Sequence, residues 1–296
     1  MDNALVIATV NRWDTLVPLL RSLRTMDPLP SQLVLSGITD ADIPDVAHED
    51  FPFPVRPVTG ARGLAAQRNF GVAHLVGHYD TVTFLDDDSM PRRDFFGAVE
   101  AHFTRFPDSW AVTGRLALEG QPRQPKLTEE QIATALEVSA VQDARDGVDD
   151  PVRTRQLYGC NMAFRREALE RYPFDEALPL YSWLEDADIA RRITADGHAV
   201  YRDPSIVSVH RRDASGGRTS HLRFGYSTVA NWEYLRRKGS LSREDIPGLA
   251  RMLAKNVVAS VVGGEKAERR VRLRGNIMAA WDIARGRVTP GRIEEF

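Results

Sequence analysis

The apolar run Val82-Thr83-Phe84-Leu85 ends in three consecutive carboxylates, Asp86, Asp87 and Asp88. The run has the composition of a buried strand. Three like charges at the end of a core strand repel one another and need a compensating cation. Carboxylate oxygens are what Mg²⁺ and Mn²⁺ select, so a divalent metal or a phosphosugar site is one reading. The other is an acidic turn that caps a helix starting near Arg93, because Asp-rich turns are common.

Around this strand, β-prone runs alternate with helical spacing. Residues 5–10 are a strand, and Leu16, Leu19, Leu20 and Leu23 follow on one helical face. Residues 32–35 and 110–113 read as strands, and Gly63 opens a helix through Ala65, Ala66, Phe70 and Leu75. Another helix surrounds residues 95–103. The alternation predicts an α/β fold: a mixed, mostly parallel sheet flanked by helices. Ligands of such sheets bind beyond the carboxyl ends of the strands, so Asn11, Arg12 and the Asp triplet are expected to share a crevice. Residues 120–155 are a polar excursion with a helix over 129–144. Strand-like sequence over 155–164, a short helix from Arg165, a helix over 183–194 and two short strands, 200–201 and 206–209, come next.

Bulk properties exclude several classes. The 296 residues carry a net charge of -2, which makes no whole-chain case for nucleic-acid binding. The single cysteine, Cys160, rules out an internal disulfide and a multi-thiolate zinc site, and suits a reducing cytosol. The N-terminus lacks the basic start of a signal peptide, and no stretch is long and apolar enough to span a bilayer. A cytoplasmic protein is expected, with at most a peripheral contact at the inner face of the membrane.

A second acidic cluster, Glu185-Asp186-Ala187-Asp188, opens the helix at 183–194. Acids in a first helical turn favour the macrodipole. The other reading is a general base; two such clusters about a hundred residues apart would then allow one to hold a metal and the other to take a proton.

Taken in order, these segments resemble the inverting family-two glycosyltransferases of GT-A fold. Val10-Asn11-Arg12 resembles the family's nucleotide-binding opening, and Gly63-Leu64-Ala65-Ala66-Gln67-Arg68-Asn69-Phe70-Gly71 its glycine, arginine-asparagine, glycine helix. Asp86-Asp87-Asp88 falls on the D-x-D element. Gly159 to Arg165 resembles the acceptor-side strand, and Leu184-Glu185-Asp186 the E-D base motif. His210 ends a later strand, where many members place a third metal ligand.

The resemblance implies a nucleotide-sugar donor, Mn²⁺ or Mg²⁺, and a saccharide or glycolipid acceptor, as in polysaccharide biosynthesis. It implies metal ligation by Asp88 with Asp86 and His210, and donor contacts from Thr9, Asn11, Arg12, Asp40, Gly63, Arg68, Asn69, Asp86 and Asp87. Asp186 matches the base, with Glu185 beside it. Gly159, Asn161 and Trp183 fall on the acceptor side, and Asp188 reads as structural. One departure concerns the nucleobase. Uridine-binding members carry an acid after the second strand, where this chain has Ser36; Asp40 is the available substitute. A UDP-sugar is the first expectation, with dTDP- and GDP-sugars open.

The expected division is a catalytic domain over 1–215 and a basic helical extension over 216–296. The extension reads either as a surface for anionic lipid or as an appendage with solvated charges. Arg211, Arg212, Arg218, His221, Arg223 and Tyr226 are candidates for a closing lid; oligomeric state is left open. Two rival functions remain: a sugar nucleotidyltransferase, which would need a glycine-rich basic loop where Asn11-Arg12-Trp13-Asp14 stands, and a non-catalytic carbohydrate-binding relative, which intact acidic clusters disfavour.

Overall fold

A computed structural model describes residues 1–121, 124–212, 220–262, 264 and 266–296. Arg218 and the expected domain boundary lie outside the described residues. The strands are β1 (Asn3–Ala8), β2 (Gln32–Gly37), β3 (Val55–Thr59), β4 (Thr81–Asp86), β5 (Ser89–Pro91), β6 (Ser109–Glu119), β7 (Val152–Arg153), β8 (Asn161–Arg165) and β9 (Ala199–His210). The helices are α1 (Trp13–Leu23), α2 (Leu64–Ala73), α3 (Phe95–Arg105), α4 (Glu129–Asp146), α5 (Arg166–Arg171), α6 (Glu185–Ala195), α7 (His221–Lys238), α8 (Ile246–Val261) and α9 (Lys266–Ala284).

The strands form one sheet in the order β3-β2-β1-β4-β8-β6-β9-β5, with β7 on β9. The first four are parallel, β8 runs antiparallel to both its neighbours, and β6 pairs β9 in parallel. Alternation along the strands explains the two core layers. Leu5, Ile7, Leu33 and Leu35 face α1 and α3, whereas Val6, Val34, Val82 and Phe84 face the layer of α2 and α6. Helix α4 joins the first layer through Ile132, under a Thr128–Gln131 capping box.

Two sequence expectations change. The two short strands at 200–201 and 206–209 are one strand, β9, continuous through Pro204. The irregularity stays in β9: Thr113 of β6 pairs with Arg202 and Arg115 with Val207, so the extra residues around Pro204 form a bulge. The strand-like stretch 155–164 forms a strand only from Asn161; before it the chain turns through Tyr158, whose carbonyl accepts from Asn161 N–H.

The β6–β9 contact is close enough to require glycine. A Cβ on Gly114 would lie 2.0 Å from the Ile206 carbonyl oxygen and 2.6 Å from Asn161 Nδ2. Gly114→Ala therefore forces the two strands apart. We expect a loss of about 1–3 kcal/mol or more, as for overpacking of a tight core, read as a lower midpoint in urea denaturation. An unchanged midpoint would mean that the strand pair yields without cost.

The sheet's topology creates the site. Ala8 pairs with Asp86 at the carboxyl ends of the parallel strands β1 and β4. Antiparallel β8 starts where β4 ends, with Asn161 opposite Leu85. Antiparallel β5 sets Ser89 opposite His210, at the end of β9. Four distant segments thus meet at one edge of the sheet.

Candidate active site

The first wall follows β1. Thr9 Oγ1 donates to Asp87 Oδ2 at 2.8 Å. Arg12 reaches across the crevice, donating to Asp87 Oδ1 and Asp88 Oδ2, each at 2.6 Å. A guanidinium suits two adjacent carboxylates because its donors form a planar fork. Asn11 adopts a left-handed backbone (φ 52°), and its N–H donates to buried Asp42. Asp42 also accepts from the N–H groups of Ile38 and Thr39, so it ties the loops after β1 and β2 together. Gln67 reinforces them, donating to the carbonyls of Thr9 and Ser36. Asp40 instead accepts from Thr59 Oγ1 at the exposed rim.

The second wall is the acidic end of β4. One ligand atom each from Asp86, Asp88 and His210 lies within 4.8 Å of the others. Two carboxylates and an imidazole converging at that spacing fit a divalent ion of the Mn²⁺ type. His210 Nε2 lies 3.3 Å from Asp88 Oδ1, and its Nδ1 lies 3.5 Å from Glu119 Oε1. A carboxylate behind a ligating histidine orients the ring and strengthens it as a donor. Tyr158 donates to the same Glu119. The hydrogen bond to His210 is the main cause holding Glu119 below the usual carboxylate range. Burial would push Asp88 up, but His210 and Arg12 outweigh it and keep Asp88 low. Its neighbour Asp87 carries the opposite shift, raised to about 7 because burial and the charge of Asp88 exceed the pull of Arg12.

Arg68 connects this wall to the second acidic cluster. Its side chain is only 2 % exposed. Nη1 donates to Glu185 Oε1 at 2.5 Å; Nη2 donates to Asp86 Oδ1 at 3.0 Å and to the Gly159 carbonyl at 2.8 Å. Gly159 in turn donates its N–H to Asp186 Oδ2 at 3.2 Å. A side chain at 159 would crowd this junction, since a Cβ there lies 3.1 Å from Glu185 Oε1. Gly63, with φ 101°, gives α2 the entry that aims Arg68 inward.

Asp186 is partly exposed, and its Oδ1 accepts from the Ala187 N–H in the first turn of α6. Burial raises its pKa against the pull of those amides and of Arg68. Glu185 lies deeper and is pushed up to about 8 by burial, opposed by Arg68. The loop that delivers both acids is strained: Leu180, Ser182 and Leu184 have positive φ (55°, 49° and 76°). Ser182 holds the loop, accepting from Ala65 N–H and donating to the Leu178 carbonyl.

Not every residue singled out in the sequence reaches the crevice. Asn69 turns away: its amide donates to the Phe174 carbonyl and to Glu176, and its oxygen accepts from Phe174 N–H. It pins the loop after α5. Asn161 is fully buried and donates to Ser208 Oγ, binding β8 to β9. Trp183 is half-buried, edge-on to Phe224 of α7 at 5.2 Å and parallel to Tyr181. Asp188 is buried against Arg192, Lys238 and Ser240. Asp42, Gln67, Glu119 and Tyr158 also join the site's framework, and three of them have no distinctive local pattern in the sequence. Glu119 alone had a signal, an acid at the end of a long strand.

The chain matches the family description "Glycosyl transferase family 2" over residues 4–173. Comparison with curated protein sequences gives no match. Among solved structures it is similar to the mannosyltransferase PcManGT from Pyrobaculum calidifontis, in complex with GDP-Man and Mn²⁺. There the identity is 18%, the TM-score 0.58, and coverage is 95% of this chain and 87% of that one. GalNAc-T7 with UDP, GalNAc and Mn²⁺ aligns at 15% identity and TM-score 0.56, over 96% of this chain and 57% of that one. S. aureus TarS 1-349 in complex with UDP-GlcNAc aligns at 15% identity and TM-score 0.51, over 97% and 92%. These likenesses are of fold, the GT-A sheet. The family match spans more than half of the chain and takes in the loop after β1 and the Asp86–Asp88 end of β4, so the protein belongs to glycosyl transferase family 2.

Proposed function

We infer that this glycosyltransferase moves a sugar from a nucleotide diphosphate to a saccharide or glycolipid hydroxyl, with inversion and with help from a divalent ion. One observation supports this reading above the rest: buried Arg68 joins Asp86 of the first acidic cluster to Glu185 of the second. Donor-side and acceptor-side acids therefore line one crevice. The catalytic role belongs to residues 1–215 and the helices beyond them are an extension.

Asp86, Asp88 and His210 are the residues that would hold Mn²⁺ or Mg²⁺. Bound there, the ion supplies charge neutralisation for the departing diphosphate. Thr9, Asn11 and Arg12, on the loop after β1, are placed to contact the nucleotide. Asp186 takes the proton of the acceptor hydroxyl as that oxygen attacks the anomeric carbon. Its raised proton affinity suits the task, and the Gly159 and Ala187 amides fix its direction. Arg68 and Glu185 keep the floor in register. UDP is the preferred nucleotide: two of the similar structures hold UDP or UDP-GlcNAc, against one with GDP-Man.

A donor-hydrolysis screen across UDP-, dTDP- and GDP-sugars, with Mn²⁺ and with EDTA, tests the reading. Turnover is expected with Mn²⁺ and should vanish with the chelator. Asp88→Ala should lose metal-dependent binding of the nucleoside diphosphate in calorimetry. Full turnover in EDTA would remove the metal from the reaction and leave Asp86, Asp88 and His210 as structure.

A further inference from the structure

Helices α8 and α9 pack side by side beyond α7. Asn256 donates to Asn276 between them, and Gly275 of α9 fits against the Leu222 carbonyl of α7. Helix α8 packs inward through partly buried Leu253, yet much of its apolar surface faces out. Its buried residues are the polar Asn256 and Ser260. Its outer stripe presents Val258, Val261 and Val262, which are 62%, 65% and 68% exposed. On α9 the outward stripe continues with Ile277 and Trp281, 61% and 57% exposed. Hydrophobic residues scattered singly need no explanation, but valines gathered on one outward helical stripe do.

The charges on this face have one sign. Arg251 and Lys255 flank the valines on α8, Lys266, Arg270 and Arg274 are exposed on α9, and exposed Arg285 directly follows it. Among the described residues of the two helices there are two carboxylates. Glu268 pairs with His221 of α7, and Asp282 is buried beneath Tyr226 and Arg292. Among the described residues, the outer stripe thus combines β-branched apolar residues, a tryptophan and cations, with no acid.

We propose that the outer face of the α8–α9 hairpin is a docking surface for an anionic lipid bilayer. The valines and Ile277 enter the boundary between headgroups and acyl chains. Trp281 sits at that boundary, and the flanking arginines and lysines meet lipid phosphates. A second copy of this chain fits the face less well. A two-fold contact lays the same patch on itself, which sets the basic stripe against its own image. No helix among the described residues is long and apolar enough to cross a membrane, so the contact is peripheral. The proposal concerns surface only and stands apart from the transfer reaction, since a vesicle assay needs no donor.

The test is sedimentation of the full chain with vesicles of phosphatidylglycerol and phosphatidylcholine in equal parts, and with phosphatidylcholine alone. Binding is expected to the anionic vesicles and to weaken as salt rises. Val258→Asp with Val261→Asp should lower partitioning by about tenfold or more, and so should Arg251→Glu with Arg274→Glu. All four positions are exposed, so the melting temperatures should match the parent's. Failure to bind the anionic vesicles, or binding that survives both pairs of substitutions, overturns the proposal. So does a parent dimer that the valine substitutions dissociate, which would assign the face to a second copy.

Discussion

Asp186→Asn should lower kcat by about 10²–10⁴-fold, the usual contribution of a positioned general base, while affinity for the nucleotide-sugar is unchanged. Asparagine keeps the shape of the side chain and an oxygen for the Gly159 and Ala187 amides. It cannot take a proton. The fold should not suffer, and the sign follows from the raised pKa. A carboxyl that binds its proton more tightly when folded favours the native state below its unfolded pKa. That advantage is lost as pH rises through the folded value, so at neutral pH the ionised Asp186 is a cost. Removing the charge should leave the melting temperature at or above the parent's. In the parent, kcat/KM should fall with acid through a value above the ordinary aspartate range, because the base must be ionised to act. Purified Asp186→Asn with parental kcat would take the base role from this residue.

Arg68→Met is expected to cost about 3–5 kcal/mol of stability, the penalty for removing one partner of a buried ionic cluster. Methionine replaces much of the volume, so the loss reports charge and hydrogen bonding more than a cavity. Asp86, Glu185 and the Gly159 carbonyl lose a shared donor together. The deficit should be largest above pH about 8 and shrink as pH falls through that value, because Glu185, raised to about 8 by burial, escapes its unpaired charge by taking a proton. Arg68→Met with Glu185→Gln should recover part of the loss, since the second change neutralises the stranded acid. Arg68→Lys should rescue little: one ammonium cannot span three acceptors that a planar fork reaches at once. Urea denaturation across pH measures all of this. A loss under about 1 kcal/mol, the range of exposed pairs, would mean that water or rearrangement replaces Arg68.

The strained loop at 180–184 connects these two predictions. Three non-glycine residues with positive φ are costly, and the chain tolerates them where Ser182 and α2 overdetermine the path. The path places Glu185 over Arg68 and leaves Asp186 partly exposed. Trp183, on the same loop, is bound through its carbonyl to Asn231 of α7. Helix α7 therefore touches the segment that bears Asp186.

Much of this arrangement was legible in local pattern. Apolar runs of strand length, leucines at helical spacing and carboxylates at the end of a strand depend on near neighbours in the chain. They were enough to anticipate the α/β sheet and both acidic clusters. Long-range packing was needed for the rest, because a side chain's direction depends on which elements surround it. Asn69 follows Arg68 by one residue, yet it lies about a hundred degrees further round the helix and meets Phe174 instead of the crevice. Glu119 and His210, distant in sequence, become partners because β6 and β9 run in parallel, with Glu119 opposite His210. In sequence the basic extension reads either as a surface for anionic lipid or as an appendage with solvated charges. Periodicity locates an apolar stripe, but only the position of α9 reveals that it points outward.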